Sequence, residues 1–245
     1  MQGWRSPTAR SKLGRMKRAI LFIALGLTAC SGGGSPREYP GVRLKPAANP
    51  SSVITAELAF AQLAQTKGQW TAFRETATAD AEMFVPQRVN AQSWLKGKAD
   101  PAVSVKWQPH EVYMSCDGSY GVTRGAWQGP KATGHFTTVW QRQKDGGYKW
   151  VLDQGDPLAA PLAAPEMIAA KIADCSPPTL TMMMPVPPGP SAAPPGDRKE
   201  RGSLDGTLSY VSEVFADGTR KFVVKLWDGK EFDTVIDTSI APHAL

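Results

Sequence analysis

Cysteine and histidine are scarce in this 245-residue chain, with three of each. That scarcity argues against a closed zinc site, which draws four ligands from Cys, His and carboxylates at short spacings. No Gly-x-x-x-x-Gly-Lys-Ser/Thr loop is present, and no Gly-x-Gly-x-x-Gly turn lies between a strand and a helix, so the common phosphate cradles are missing. The Gly-x-Ser-x-Gly elbow of serine hydrolases is missing as well. Met182-Met183-Met184 lies among prolines and reads as spacer rather than as a soft-metal site, which would need a further placed ligand. No metal and no cofactor is called for.

Membrane-spanning runs are lacking too. The apolar stretch Ala19–Leu27 falls well short of the roughly 20 residues that cross a bilayer. It follows the basic Met16-Lys17-Arg18, so residues 1–29 read as a secretion signal with its true start at Met16. Leu27-Thr28-Ala29-Cys30 resembles the bacterial lipobox. The resemblance implies cleavage before Cys30, a diacylglyceryl group on its thiol and acylation of the freed amine. Ser31, in place of Asp, points to the periplasmic face of an outer membrane. The alternative is an ordinary signal peptide with a chance cysteine.

The mature chain also lacks net charge. The whole sequence has 28 basic and 22 acidic residues, but residues 1–29 hold six of the basic ones and none of the acidic ones. What remains is formally neutral. Binding to phosphate backbones needs surplus cations on the folded part, so no nucleic-acid partner is expected.

With Cys30 lipidated, Cys116 and Cys175 form an even pair in an oxidising compartment. They are expected to bridge the tip of the first hairpin to the segment after the sheet, the alternative being two separately buried thiols.

Residues 30–50 are rich in Gly, Ser and Pro and read as a tether. A helix capped by Ser51 or Ser52 should reach Lys67 and stop at Gly68, with Val53, Ala56, Phe60, Leu63 and Ala64 on one face. A short helix with Trp70 and Phe73 follows, then a third over Ala91–Lys96 capped by Asn90. From Val103 to Asp156 the chain alternates polar and apolar residues, broken at Asp117-Gly118, Gly129-Pro130 and Asp145-Gly146-Gly147. This predicts a four-strand antiparallel meander. Pro165 can start a helix over Glu166–Asp174. Residues 176–197, with eight prolines, read as an extended linker. Residues 198–245 predict three more strands around Asp217-Gly218 and Asp228-Gly229, about the minimum for an independent sheet.

Three helices followed by a long meander carrying Trp70, Trp94, Trp107, Trp127, Trp140 and Trp150 resemble the nuclear-transport-factor-two-like superfamily, on its SnoaL-like branch. The segments that carry the resemblance are Gly68–Phe73, Phe84-Val85-Pro86, Ser115–Gly121, Gly134–Arg142 and Tyr148–Asp153. It implies an α+β, cone-shaped fold over residues 51–175, in which three N-terminal helices pack on a bent antiparallel sheet. The C-terminal three-stranded β meander would be an addition to it. A cone of this kind holds a pocket, and the superfamily spans isomerases, cyclases, dehydratases and members without catalysis.

Catalysis there would need an acid or base. The candidates are His135 or His110 with Asp153, against the alternative of structural or outward-facing histidines. Arg124 could be a pocket cation or a surface ion-pair partner. Trp94, Tyr113, Trp140 and Trp150 could line a ligand cavity or fill the core. The leading expectation is a non-catalytic, lipid-anchored envelope protein binding a small apolar ligand or a partner protein. An isomerase or cyclase with a His/Asp couple is the second, and an envelope assembly module built on the C-terminal strands is the third. Partners to consider are the membrane through Cys30, an envelope protein and a second copy in a homodimer.

Overall fold

A computed structural model describes residues 48–178 and 197–242, all within one compact unit. The secretion signal, Cys30, almost all of the tether, Met182–Met184, most of the proline-rich linker and His243 lie outside the described residues.

Helix α1 (Pro50–Lys67) starts one step earlier than the serines suggest. Pro50 takes the first helical position, where its fixed φ and missing N–H cost nothing, and the Asn49 side chain accepts from Ser51 N at 3.1 Å. Gly68, at φ 109°, ends it. Helix α2 (Gln69–Thr76) is capped from a distance, because Asp100 accepts from Thr71 N at 2.9 Å and from its hydroxyl at 2.6 Å. Helix α3 (Ala91–Leu95) has the expected cap, Asn90 accepting from Ser93 N at 2.9 Å.

The main sheet has seven strands: β1 (Ala77–Phe84), β2 (Arg88–Asn90), β3 (Lys106–Met114), β4 (Tyr120–Gln128), β5 (Thr133–Arg142), β6 (Tyr148–Leu158) and β7 (Ala169–Ile172). Their order is β2-β1-β6-β5-β4-β3-β7. The four-strand meander is as read from the sequence, except that Val103–Val105 precede β3 and β6 runs on through Asp156-Pro157. The sheet is mixed, not antiparallel throughout, since β1 pairs with β6 and β3 with β7 in parallel. The helix expected over Glu166–Asp174 is replaced by bends and β7. All four residues of β7 are exposed, and the segment is held by its backbone ladder to β3 rather than packed as a helix. Its direction follows from a covalent tie. Cys116, just past β3, is bridged to Cys175, just past β7, with Cα atoms 5.2 Å apart. Two strands joined beyond their C-terminal ends must run the same way.

Register shifts bend the sheet, one between Pro109 and Glu111 on β3 and one between Val139 and Trp140 on β5. At the first, a Cβ on Gly125 would stand 2.0 Å from the Gln108 carbonyl oxygen, so only glycine lets β4 approach.

Both faces of this sheet are covered. On the concave face Val112, Met114, Trp140 and Trp150 pack with Val53, Phe60 and Ala64 of α1. On the convex face Tyr120, Val122, Val139 and Leu152 meet a second sheet through Leu208, Tyr210, Phe222, Val224 and Ile236. That second sheet has four strands, not three, in the order β11-β10-β9-β8. They are β8 (Asp197–Gly202), β9 (Leu208–Val214), β10 (Arg220–Trp227) and β11 (Phe232–Ile240). Strand β8 has no apolar side chain to betray it. It is held by its ladder to β9 and by Asp197, Lys199 and Arg201 reaching Arg88, Glu82 and Asp80.

The two sheets are fastened at both ends of their contact. At one end the turns Ser115–Ser119 and Ser203–Thr207 repeat one local pattern. In each, a serine hydroxyl donates to the aspartate two residues on, and the glycine N–H returns to the serine carbonyl. The aspartates cross over, Asp117 N donating to Asp205 Oδ2 at 2.8 Å and Asp205 N to Asp117 Oδ2 at 3.2 Å. At the other end Arg220 pairs with Asp156, both buried, and its guanidinium lies 4.8 Å from the Phe84 ring centroid.

The bridge closes a loop spanning 59 positions. On the loop-entropy account, reducing it or making Cys175→Ser costs about 4 kcal/mol. Denaturant melts with and without reductant check this, and coincident transitions would show that the bridge adds nothing.

Candidate ligand cavity

The helices close the concave face incompletely. Between α1, α2 and strands β3 to β6 they leave a cavity of about 160 Å³. Phe60, Phe73, Trp107, Trp127 and Phe136 form most of its wall, with Gln69, Val105, Gly155 and one ionisable group, Asp153. The rings brace one another edge to face. The Phe60 centroid is 4.8 Å from those of both Phe73 and Trp107, and Phe73 is 6.1 Å from Trp107.

Asp153 points inward because β6 alternates, which sends Leu152, Gln154 and Asp156 to the convex side. Its Oδ2 accepts from Thr138 Oγ1 at 2.8 Å. Burial pushes the carboxyl up to about 7. The Thr138 hydroxyl opposes this and the negative charge of Glu57 adds to it.

Glu57 itself is fully buried on the inward face of α1. Trp107 Nε1 donates to Oε1 at 2.6 Å, while Thr123 Oγ1 and Trp140 Nε1 donate to Oε2 at 2.5 and 3.0 Å. Burial raises its pKa, against the lowering effect of these bonds.

Of the acid, base and cation candidates singled out in the sequence, only Asp153 lines the cavity, together with Trp107 and Trp127 of the tryptophan set. His135 is on the convex face, opposite Asp156 in the β5–β6 register. Burial and then the Arg124 charge hold its imidazole below the ordinary range, with Asp156 pulling the other way. The chain therefore does not bring His135 and Asp153 together. His110 sits at the β3 register shift and is not among the lining residues. Arg124 lies opposite Glu111 in the β3–β4 register, and Tyr113 donates to Glu111 at 3.4 Å, all on the convex side. Trp140 and Trp150 are core, donating to Glu57 and to the Thr76 hydroxyl. Trp94 stacks edge-on with Trp70 under Lys98, away from the cavity wall.

The residues that sequence reasoning missed are Glu57, Thr123 and Thr138, with Phe60, Phe73 and Phe136 as walls. One signal was available. Glu57 falls four after Val53 and three before Phe60, in the apolar stripe of α1, where an unpaired charge would be costly.

Among the described residues no cluster of three or more His, Cys, Asp or Glu could hold a metal ion, and no helix is long and apolar enough to cross a membrane.

Helices closing the concave face of a bent sheet over an aromatic cavity define an α+β cone, the fold class expected from the sequence. The chain is similar in structure to a candidate ketosteroid isomerase from Parabacteroides distasonis, with TM-score 0.37, 16% identity, and 47% of this chain and 98% of that one covered. It is likewise similar to a nuclear transport factor 2 (NTF2-like) superfamily protein from Salmonella enterica, with TM-score 0.37, 10% identity, and 45% and 92% covered. An NTF-2 like protein of unknown function from Silicibacter pomeroyi gives TM-score 0.34, 14% identity, and 45% and 99% covered. The latter two bear the family name that the order of elements resembles. No family model matches the sequence, and no curated protein matches it.

The raised Asp153 pKa fixes a sign. Stability from the protonated carboxyl is fully present below the unfolded value near 4 and is lost as pH rises toward 7. Asp153→Asn should therefore leave stability near pH 4 unchanged and raise it at pH 8, by up to about 4 kcal/mol. Urea melts of both proteins at the two pH values decide it. An equal effect at both would mean the carboxyl titrates normally.

Proposed function

We propose that this protein is a lipid-anchored envelope protein whose cone binds a small, compact, largely apolar molecule without transforming it. The observation that carries the binding half is the cavity itself: five aromatic rings around about 160 Å³, with one carboxyl at the wall. A cavity of roughly 150 Å³ takes up benzene, so the space suits a ligand of about six to eight heavy atoms. Asp153 would orient it through a single polar contact. The acid–base reading lacks its couple, because His135 faces the other side of the sheet and His110, at the β3 register shift, is not among the lining residues. The apolar face of the second sheet is occupied by the cone, which leaves its edges for the assembly reading.

The envelope half rests on the sequence, on the apolar run and lipobox ending at Cys30. The Cys116–Cys175 bridge supports it, since such bridges persist in oxidising compartments.

Trp107 and Trp127 line the cavity, so occupancy should change tryptophan emission. Titration with single-ring compounds should saturate, while four-ring compounds should fail to bind. Tighter binding of the larger series, or no response to any compound, would remove the binding half. Cys30→Ser should release the protein from membranes in fractionated cells, and unchanged retention would remove the anchor.

A further inference from the structure

We propose that the ligand of the cone is a small organic cation, an alkylammonium group seated among the rings with Asp153 as its counter-ion. This rests on the reading that the cavity binds a small molecule and adds the chemical class.

Between its two sheets this chain pairs carboxylates with cations. Glu82 meets Arg88 and Lys199, and Asp156 meets Arg220. The two carboxyls of the cone are treated differently. Asp153 is bonded to the Thr138 hydroxyl. Glu57 is bonded to two indole N–H groups and a hydroxyl. All of these donors are neutral, and no lysine, arginine or histidine lines the cavity among the described residues. A buried carboxylate without a cation is costly, and the cost falls when a positive charge is supplied. The cone holds two carboxyls, and no cationic side chain lines its cavity among the described residues. A bound cation is the missing partner.

The wall favours the same charge. Aromatic faces carry negative potential, and rings around a desolvated site attract ammonium ions, most strongly where water is excluded. Phe60, Phe73, Trp107, Trp127 and Phe136 provide such a surround. An anion would meet repulsion from both carboxyls. A neutral apolar molecule would fill the space but leave them uncompensated. The volume limits the cation to a compact head with a short tail, which excludes long polyamines.

Choline and its uncharged carbon isostere, 3,3-dimethyl-1-butanol, share size and shape and differ in charge. Calorimetric titration of the full chain at pH 8 should show choline binding tighter than the isostere by about tenfold or more. Asp153→Asn should abolish that preference while keeping affinity for the isostere, which also reports that the variant is folded. In the unaltered protein, choline affinity should fall by about tenfold or more between pH 8 and pH 5.5 as the carboxyl gains its proton, with the isostere unaffected. The isostere binding as well as or better than choline would overturn the charge assignment and leave the binding reading standing. Choline affinity that does not change with pH would remove Asp153 as counter-ion and overturn the proposal. Failure of both probes, together with the single-ring compounds, would overturn the cavity as a binding site altogether.

Discussion

One carboxylate holds the helical layer to the sheet. Glu57 projects from the middle of α1 and collects Trp107 from β3, Thr123 from β4 and Trp140 from β5. Three adjacent strands are thereby set at one distance from one helix. Charge-assisted bonds of this kind are stronger and more directional than packing alone, so they fix where α1 lies as well as how tightly. The cavity opens on the side of this anchor that faces α2 and β6, where the strands curve away and rings replace hydrogen bonds. The charge that locks the helix also contributes to the raised pKa of Asp153. Structure and site share one electrostatic source.

Much of the architecture was legible because local chemistry decides it. Asp117-Gly118 and Asp145-Gly146 turn where the dipeptides demand, with Gly118 and Gly146 at positive φ. Asn90 caps α3 through the bond its side chain is built to make. What stayed hidden depends on partners far along the chain. Strand β7 looked like a helix because Pro165 can start one; the Cys116–Cys175 bridge was expected, but a pair of cysteines alone does not say that the segment before Cys175 pairs with β3. Strand β8 was not among the three strands expected of residues 198–245, because its fit comes from acidic and basic groups more than a hundred residues away. The site divides in the same way. Asp153 was named because a carboxylate in a strand attracts notice. His135 was named with it, but alternation alone could not say which face was concave. Glu57 was passed over because an apolar stripe on a helix is read by its apolar members.

The central sheet is buried on both sides, yet the two sides are built differently. The concave side uses large rings and a few polar anchors, and leaves space. The convex side packs aliphatic side chains, tyrosines, Phe222 and Trp227 against the second sheet. A few strands need an apolar face to bury, and the second sheet buries its own in this contact. The reading of residues 198–245 as an appendage understates their part. They supply half of the cover for the meander.

The fastening of the two sheets resembles a bound book. The twinned serine–aspartate turns form the spine, backed by Cys116 N donating to Thr207 Oγ1 and Asp174 N donating to the Trp227 carbonyl beside the two halves of the disulfide. The Arg220–Asp156 pair is the clasp at the fore-edge, a buried, hydrogen-bonded ion pair. Asp156 adjoins Gly155, which lines the cavity on the opposite face of the same strand. Whatever loosens the clasp acts on a backbone that is also the cavity wall, so the outer leaf is mechanically joined to the space inside the cone.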